Sequence, residues 1–409
     1  MNDVEIRFTF DGRRYRARKG DTVAGALYRS GVKVLTRSIK FHRPRGLHCG
    51  SGDCPNCLVN VNGVPNVRSC ITPVSEGMVV RSQNKVISLR FDPVVLMDHF
   101  FKRGFNYHHR FIRPAFARGL YQSVIRRMAG IGKVPNVDVA AEPTQRIRTD
   151  VLIIGGGKTA LHAAEKCASA GLRSTTVINS VQEPRKNLQG SSTLDGSFVV
   201  GAFDDGHILV SNGTRLHIIE PRYVILAEEG RDQPMTFPNW DLPGILRETA
   251  AMRLIEDRVA IGSRIVITGE ATRRERVADL LRTSGLKHGE ITITKPGWKV
   301  LAAYGRNSVH KIVISDGGSK ETIACDCVVT CGPLAPRIEI ARQLGCEVVA
   351  KGKASPTISV DESFETSRKN VFAIGGSADV LDDSEADRSA EIAVNHIISR
   401  MKGAGSWSR

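Results

Sequence analysis

Residues 46–57 read Gly-Leu-His-Cys-Gly-Ser-Gly-Asp-Cys-Pro-Asn-Cys. Its cysteines Cys49, Cys54 and Cys57, with Cys70 beyond them, are spaced C-x4-C-x2-C-x12-C. A 2Fe–2S cluster needs four thiolates, and C-x4-C-x2-C is the plant-type ferredoxin spacing: three sit on one wrapping loop and the fourth arrives from elsewhere. Gly46, Gly50 and Gly52 let the backbone curl tightly enough for its amides to face the sulfurs. Two other readings stay open on these residues. One is a tetrahedral zinc site, which usually shows two C-x2-C pairs where this chain has one; the other is four reduced thiols without metal.

Working outward, Val4–Phe10 alternates apolar and polar residues as a half-buried strand does. Asp11-Gly12 signals a tight hairpin turn and Arg13–Arg18 the return strand. Asp21 or Thr22 can cap a short helix carrying Val23, Ala24, Ala26 and Leu27. Two strands, a helix and a Cys-rich loop are the order of a ferredoxin-like β-grasp domain, expected over residues 1–98 with its compact part ending near Asn84. Residues 99–148 read as a linker, basic at Lys102, Arg103, Arg126 and Arg127 and aromatic at Phe100, Phe105, Tyr107 and Tyr121. A surface that docks an acidic partner is expected there, the aromatics arguing against disorder. His108-His109 within it reads as a surface pair.

From Thr149 the pattern turns to α/β. Val151–Ile154 is an apolar strand, Gly155-Gly156-Gly157 a sharp turn, Ala160–Gly171 a helix and Ser174–Ile178 a second strand. Further strand–helix stretches follow at Arg264–Gly269 with a helix from Arg274, and at Cys325–Cys331 with a helix from Arg337. A last strand at Val371–Ile374 leads to a glycine turn and a closing helix. The expected layout places a nucleotide-binding domain over 149–260 and 355–409, with a second nucleotide-type domain inserted over 261–354. The fold class is α/β with an N-terminal α+β domain.

Gly155, Gly157 and Ala160 form G-x-G-x-x-A between a strand and a helix, the dinucleotide fingerprint in its proper context. The helix N-terminus, at Lys158, is placed to take a pyrophosphate. A Walker loop is excluded because Leu152 stands where that motif needs glycine. The residue expected to meet the adenosine ribose is Asn179, a weaker acceptor than a carboxylate. Gly375 and Gly376 form the second turn expected at the nucleotide. Cys167, Cys325, Cys327, Cys331 and Cys346 read as buried structural thiols, with Cys325 and Cys327 on opposite sides of a strand. No catalytic constellation stands out, so the catalytic residues are unknown.

Composition bounds the rest. Hydrophobic residues make up 41% and charged residues 24% of the 409, as in ordinary globular chains. No apolar run reaches the roughly 18 residues of a membrane span, and Met1–Glu5 shows no secretion signal. Nine cysteines in such a chain favour a metal site over a disulfide framework, and a cytoplasmic location is expected. The net charge of +16 fits an acidic protein partner or an ordinary basic surface. Nucleic acid is disfavoured, since no zinc-finger, helix-turn-helix or RNA-binding signature is present.

Lys40–Gly46, Cys49–Gly52, Asn66–Cys70 and Glu76–Val80 together resemble the α subunit of heterotetrameric sarcosine oxidase and its relatives in opine, hydroxyproline and proline dehydrogenases and hydrogen cyanide synthase. Gly104–Tyr107, Phe237-Pro238, Asp241–Gly244 and Asn370–Ala373 share the likeness. The resemblance implies a ferredoxin-like domain followed by a two-part FAD/NAD(P)-binding fold of the glutathione-reductase type. It implies a flavin-containing β subunit that oxidises the substrate, often with FMN near the interface, and an electron acceptor protein or quinone downstream. Sarcosine oxidase α subunits tend to lack the cluster cysteines, so this chain is closer to the dehydrogenase relatives. Three positions depart from the family pattern. Ala227-Glu228-Glu229 replaces Ala-Thr-Gly, placing two carboxylates where a phosphate is expected. Gly375-Gly376 replaces Gly-Asp, removing the acid that bonds the flavin's ribityl-phosphate end. Asn179 is the third. Together they imply a degenerate site for FAD or NAD, weakly held or empty. The expected function is an iron–sulfur subunit of a heteromeric flavin dehydrogenase for proline, hydroxyproline, sarcosine or an opine. The competing readings are a free-standing NAD(P)H-dependent reductase with a ferredoxin domain, and a structural subunit whose nucleotide site is vestigial.

Overall fold

The N-terminal core is built from two stretches far apart in sequence. The structure, a computed structural model, describes residues 5–39, 41–93, 119, 142–178, 190–228, 230–350, 356–380 and 382–403. Most of the expected linker, with His108-His109, lies outside these residues, as do Asn179 and Glu229. The chain separates into two compact units, Met1–Asp138 with Pro234–Pro333, and Val139–Gln233 with Leu334–Arg409.

In the first unit, β1 (Glu5–Phe10) and β2 (Arg13–Arg18) pair antiparallel, Phe10 opposite Arg13. Asp11 and Gly12 both have positive φ, 48° and 80°, the backbone of a type I′ turn that matches the twist of its strands. Alternation buries Phe8 and Phe10 on one face of β1. Helix α1 (Val23–Arg29) is capped by the Thr22 hydroxyl, which accepts from the Gly25 amide at 3.1 Å. Asp21, the other candidate cap, takes the Arg18 amide and the Arg29 guanidinium instead. Strands β3 (Leu58–Val61), β4 (Val64–Arg68) and β5 (Val79–Ser82) complete a sheet in the order β2-β1-β5-β3-β4, with β1 and β5 parallel. This is the expected β-grasp arrangement.

The second unit is a sheet with helices. It holds β6 (Gln145–Ile154), β7 (Ser174–Ile178), β8 (Ser191–Asp195), β9 (Phe198–Ala202), β10 (Ile208–Ser211) and β11 (Leu216–Leu226) in the order β8-β7-β6-β11-β10-β9. The last strand, β19 (Val371–Ala373), joins beside the C-terminal half of β11. Helix α2 (Lys158–Ser169) packs with α6 (Asp383–Gly403) over Val151, Ile153, Ile225 and Phe372. Ala160, Ala163 and Ala164 are the small residues that let α2 approach. Helix α2 starts at Lys158, two residues before the expected Ala160, because Gly157 is its N-cap.

The remainder of the first unit is a parallel sheet in the order β12-β18-β13-β14: β12 (Ile245–Arg247), β13 (Arg264–Gly269), β14 (Glu290–Ile293) and β18 (Cys327–Cys331). It carries α3 (Glu248–Glu256) and α4 (Ala271–Thr283). Strands β15 (Lys299–Tyr304), β16 (Lys311–Ser315) and β17 (Lys320–Ala324) form a separate antiparallel sheet. The expected boundaries at 260/261 and 354/355 differ from the divisions at 233/234 and 333/334. Ile245–Arg247 pairs with Val328–Thr330, which draws β12 and α3 into the second sheet. Arg231–Asp232 pairs with Leu334–Ala335, which draws the later segment, with α5 (Glu339–Gln343), into the other unit. The stretch read as one strand–helix pair, Cys325–Cys331 and the helix after Arg337, is therefore divided between the units.

Cys325 and Cys327 lie in different cores, Cys325 with Val309 and Ile312, Cys327 with Val329 and Ile265. The physical reason is the bend at Asp326, before β18 begins. Residues two apart in an unbroken strand would share a face.

One core joins the β-grasp domain to the parallel sheet. Phe8, Phe10, Leu27 and all four clustered cysteines belong to it, with Leu246, Ala250, Ala251, Leu254 and Ile265. Each fully buried Phe, Leu or Ile side chain among them contributes about 1.5–3 kcal/mol. That shared burial is why residues 234–333 group with the N-terminal domain.

Candidate iron–sulfur centre and nucleotide turn

The loop from Gly46 to Cys57 follows no regular element, so its shape depends on glycine. Gly50 and Gly52 have φ of +72° and +77°, a region closed to most side chains. The loop buries all four thiols: Cys49 and Cys57 are 1% exposed, Cys70 4% and Cys54 7%. Cys70 follows β4, where the Ser69 amide and hydroxyl both donate to the Cys57 carbonyl, at 3.2 and 2.7 Å. This brings the fourth cysteine to the other three.

The sulfurs interact in pairs, Cys49 with Cys54 and Cys70, and Cys57 with Cys70. Cys49 lies far below the ordinary thiol value, chiefly because Cys54 and then Cys70 donate to it, helped by the Ser51 and Cys54 amides. Cys57 is also lowered, first by Cys70 and also by the Cys70 amide. Cys54 and Cys70, the donors, are correspondingly raised, with burial adding to the effect. Backbone amides aimed at sulfur stabilise thiolate, the form that iron binds. Among the described residues no three His, Cys, Asp or Glu side chains are grouped to hold a single metal ion. A 2Fe–2S cluster asks for something different, two thiolates on each of two irons. The donor set, four buried cysteines supplied with amide hydrogen bonds, fits that group.

Within the loop, beside Cys49, is His48, which sequence reading left aside. Its Nδ1 lies 2.8 Å from the Ile245 carbonyl. A carbonyl only accepts, so Nδ1 carries the proton. Burial pushes the imidazole down to about 4, leaving it neutral at pH 7. Its ring stands 5.1 Å from that of Trp240. The only signal in the sequence is its position beside Cys49.

In the other unit, Gly155, Gly157, Lys158, Gly375 and Gly376 lie at the C-terminal ends of β6 and β19, beside the end of β11, while Asn179 lies outside the described residues. Gly155 has φ +142°, and a Cβ there would stand 2.2 Å from the Ala227 carbonyl oxygen. A Cβ on Gly156 would stand 2.5 Å from Ile178 Cγ2. Gly157 caps α2 without a side-chain hydrogen bond, Lys158 is exposed in the first turn and Ala160 is fully buried. Gly375, at φ +54°, lies against Thr159 of that turn, and its amide donates to the Ser389 hydroxyl at 3.1 Å. These features suit a pyrophosphate at a helix N-terminus.

The flavin end fits less well. Gly376 brings no side chain. The Ser377 hydroxyl instead ties both main-chain groups of Glu228, accepting from its amide at 3.0 Å and donating to its carbonyl at 3.1 Å. The Glu228 carboxylate lies 3.9 Å from the Arg337 guanidinium. Glu228 is therefore a paired carboxylate, and its repulsion of a phosphate is smaller than the sequence alone implies.

Residues 3–85 match the family described as the 2Fe-2S iron-sulfur cluster binding domain. Over 407 residues the chain is 29% identical to the sarcosine oxidase subunit alpha of Rhizobium meliloti (strain 1021), a match covering 84% of this chain and 41% of that protein. The chain is similar to sarcosine oxidase α subunits. The N-terminal part is also 32% identical over 92 residues to hydrogen cyanide synthase subunit HcnA of Pseudomonas aeruginosa, covering 22% of this chain and 84% of that subunit. Among solved structures, the L-proline dehydrogenase from P. horikoshii superposes with a TM-score of 0.71 at 18% identity, covering 98% of this chain and 74% of that one. At that identity the likeness is one of fold. The chain spans about two fifths of the length of the Rhizobium relative. No described helix is long and apolar enough to cross a membrane.

Proposed function

We propose that this chain is the iron–sulfur α-like subunit of a heteromeric flavin-dependent dehydrogenase or oxidase acting on secondary amines or imino acids such as proline, hydroxyproline, sarcosine or an opine. The observation that carries the proposal is the set of four buried thiols of Cys49, Cys54, Cys57 and Cys70 in one core, inside a stretch that matches the 2Fe–2S binding domain. A bound 2Fe–2S cluster supplies one-electron acceptance, whereas oxidising a C–N bond takes a two-electron acceptor, so a flavin stands between substrate and cluster. In this chain the four cysteines hold the irons, the Ser51, Cys54 and Asn56 amides support their sulfurs, and Gly50 and Gly52 permit the wrap. Gly155, Gly157, Lys158 and Ala160 present a helix N-terminus to the pyrophosphate of FAD or NAD, with Asn179, Gly375 and Gly376 around the rest of the dinucleotide. That site is weak, because Gly376 contributes no acid. The substrate-oxidising FAD or FMN belongs to a β partner, and the enzyme works in the cytoplasm, passing electrons on to an acceptor protein or a quinone.

The test uses the chain purified anaerobically, alone and co-expressed with a flavin-bearing partner. Alone, it contains two irons and two sulfides, little flavin, and no dye-reducing activity with proline or sarcosine. With the partner, dye reduction appears. Stoichiometric FAD in the isolated chain, or amine-dependent dye reduction without a partner, would promote the free-standing reductase instead.

A further inference from the structure

What lies against helix α3 is the cluster loop. The Arg247 amide donates to the His48 carbonyl at 2.8 Å, so β12 and the residue before Cys49 are laced together. Two residues on, Gly50 leaves no room for a side chain: a Cβ would stand 2.7 Å from the Ala250 Cα. Arg253, three residues after Ala250 and so on the same face of α3, donates from Nη1 to the Gly50 carbonyl at 2.5 Å. The first turn of α3 is itself pinned, because buried Glu248 pairs with Arg273 of α4, which also reaches the Gly332 carbonyl. These contacts join residues about 200 apart in sequence.

We propose that α3 is a clamp on the cluster loop and that Arg253 is its positioning residue, holding the Gly50 carbonyl while setting a positive charge beside Cys49 that favours the reduced 2Fe–2S centre. This rests on the reading that the four cysteines hold the cluster. One-electron reduction adds negative charge, and cluster potentials follow net charge, hydrogen bonding and solvent exposure. A guanidinium keeps its charge at every working pH. Holding the Gly50 carbonyl also keeps water from the Cys49 side of the loop.

The experiment compares full-length wild type, Arg253→Gln and Arg253→Lys, purified anaerobically. Iron and sulfide are counted. The midpoint potential is measured by dithionite titration followed by electron paramagnetic resonance, and the rate of bleaching by a chelator in air is recorded. All three proteins are expected to hold two irons. Arg253→Gln is expected to change the reduced-to-oxidised ratio at a fixed potential about tenfold toward oxidised, roughly 59 mV for one electron, and to bleach several-fold faster. Arg253→Lys keeps the charge and is expected to restore most of the potential while bleaching faster than wild type. Should Arg253→Gln not fold, Arg253→Lys decides alone: wild-type potential with faster bleaching supports the clamp, and wild-type bleaching overturns it. A fully loaded Arg253→Gln protein with wild-type potential and bleaching also overturns it. Wild-type protein lacking iron and sulfide would overturn the cluster reading itself, a separate result.

Discussion

The chain has two glycine-rich turns built for a cofactor, and they keep different things. At the cluster loop, backbone and side chains are both complete: Gly50 and Gly52 adopt positive φ, and all four thiols are buried and in contact. At the Gly155–Gly157 turn the backbone is complete, while the side chains that would hold a flavin are reduced to Gly376 and a carboxylate already paired with Arg337. The difference teaches that a backbone turn persists because the core needs it. Gly155 must pass within van der Waals contact of Ala227 whether or not a nucleotide binds. A ligating side chain has no such structural support and marks a working site more reliably.

The comparison breaks most visibly at the cluster. Cys54→Ser should abolish the visible absorption and the iron content entirely, because one iron loses half its protein ligands. Zinc at one per chain with no sulfide in the wild type would sink the iron reading. Next comes the claim that the nucleotide turn is held by packing. Gly155→Ala should destabilise the protein by about 2–4 kcal/mol through a forbidden φ and a clash with the Ala227 carbonyl. Denaturant unfolding without added nucleotide is the check, and a change under about 0.5 kcal/mol would contradict it. The difference in side chains is sharpened by Gly376→Asp. Restoring a charged acceptor should tighten FAD binding about tenfold, since hydrogen bonds to charged groups contribute about 1.5–3 kcal/mol; fluorescence titration measures it, and unchanged affinity would mean the site is closed for another reason.

The smallest effect concerns the frame beneath that turn. Glu365 is buried, which pushes its carboxyl up, yet Arg400 and the Asn370 amide bring it below its ordinary value. Arg400 meets it with two hydrogen bonds, at 2.6 and 2.7 Å. A depressed carboxyl contributes stability that is present above its unfolded pKa, about 4.3, and is lost as pH falls below it. Glu365→Gln should therefore flatten the acid limb of the stability curve by about 1 kcal/mol or less, the pair being partly open to solvent.

Much of this was legible in the chain. The Asp11-Gly12 turn, a cap at Asp21 or Thr22, the strand–turn–helix at Val151–Gly157 and the four cysteines are local patterns, and local sterics and ligand spacing suffice to read them; only the structure chose Thr22 as the cap. Two features were not. The expected boundaries near 260 and 354 follow the run of local strand–helix patterns, whereas the structure divides the chain at 233 and 333, because strand pairing between Ile245–Arg247 and Val328–Thr330 has no local signature. Glu228 looked like a bare charge because nothing near it in sequence announces Arg337.

What the sequence determined by itself is chemistry carried by spacing: four thiolates that can wrap two irons, and a glycine turn that opens a helix. What only the tertiary structure decided is which groups are neutralised, buried or held from outside. His48 is neutral because the surrounding core buries it, and Gly50 is held because Arg253 arrives from a helix some 200 residues away. Burial and long-range pairing depend on how distant segments share one core, and no short stretch of chain encodes that.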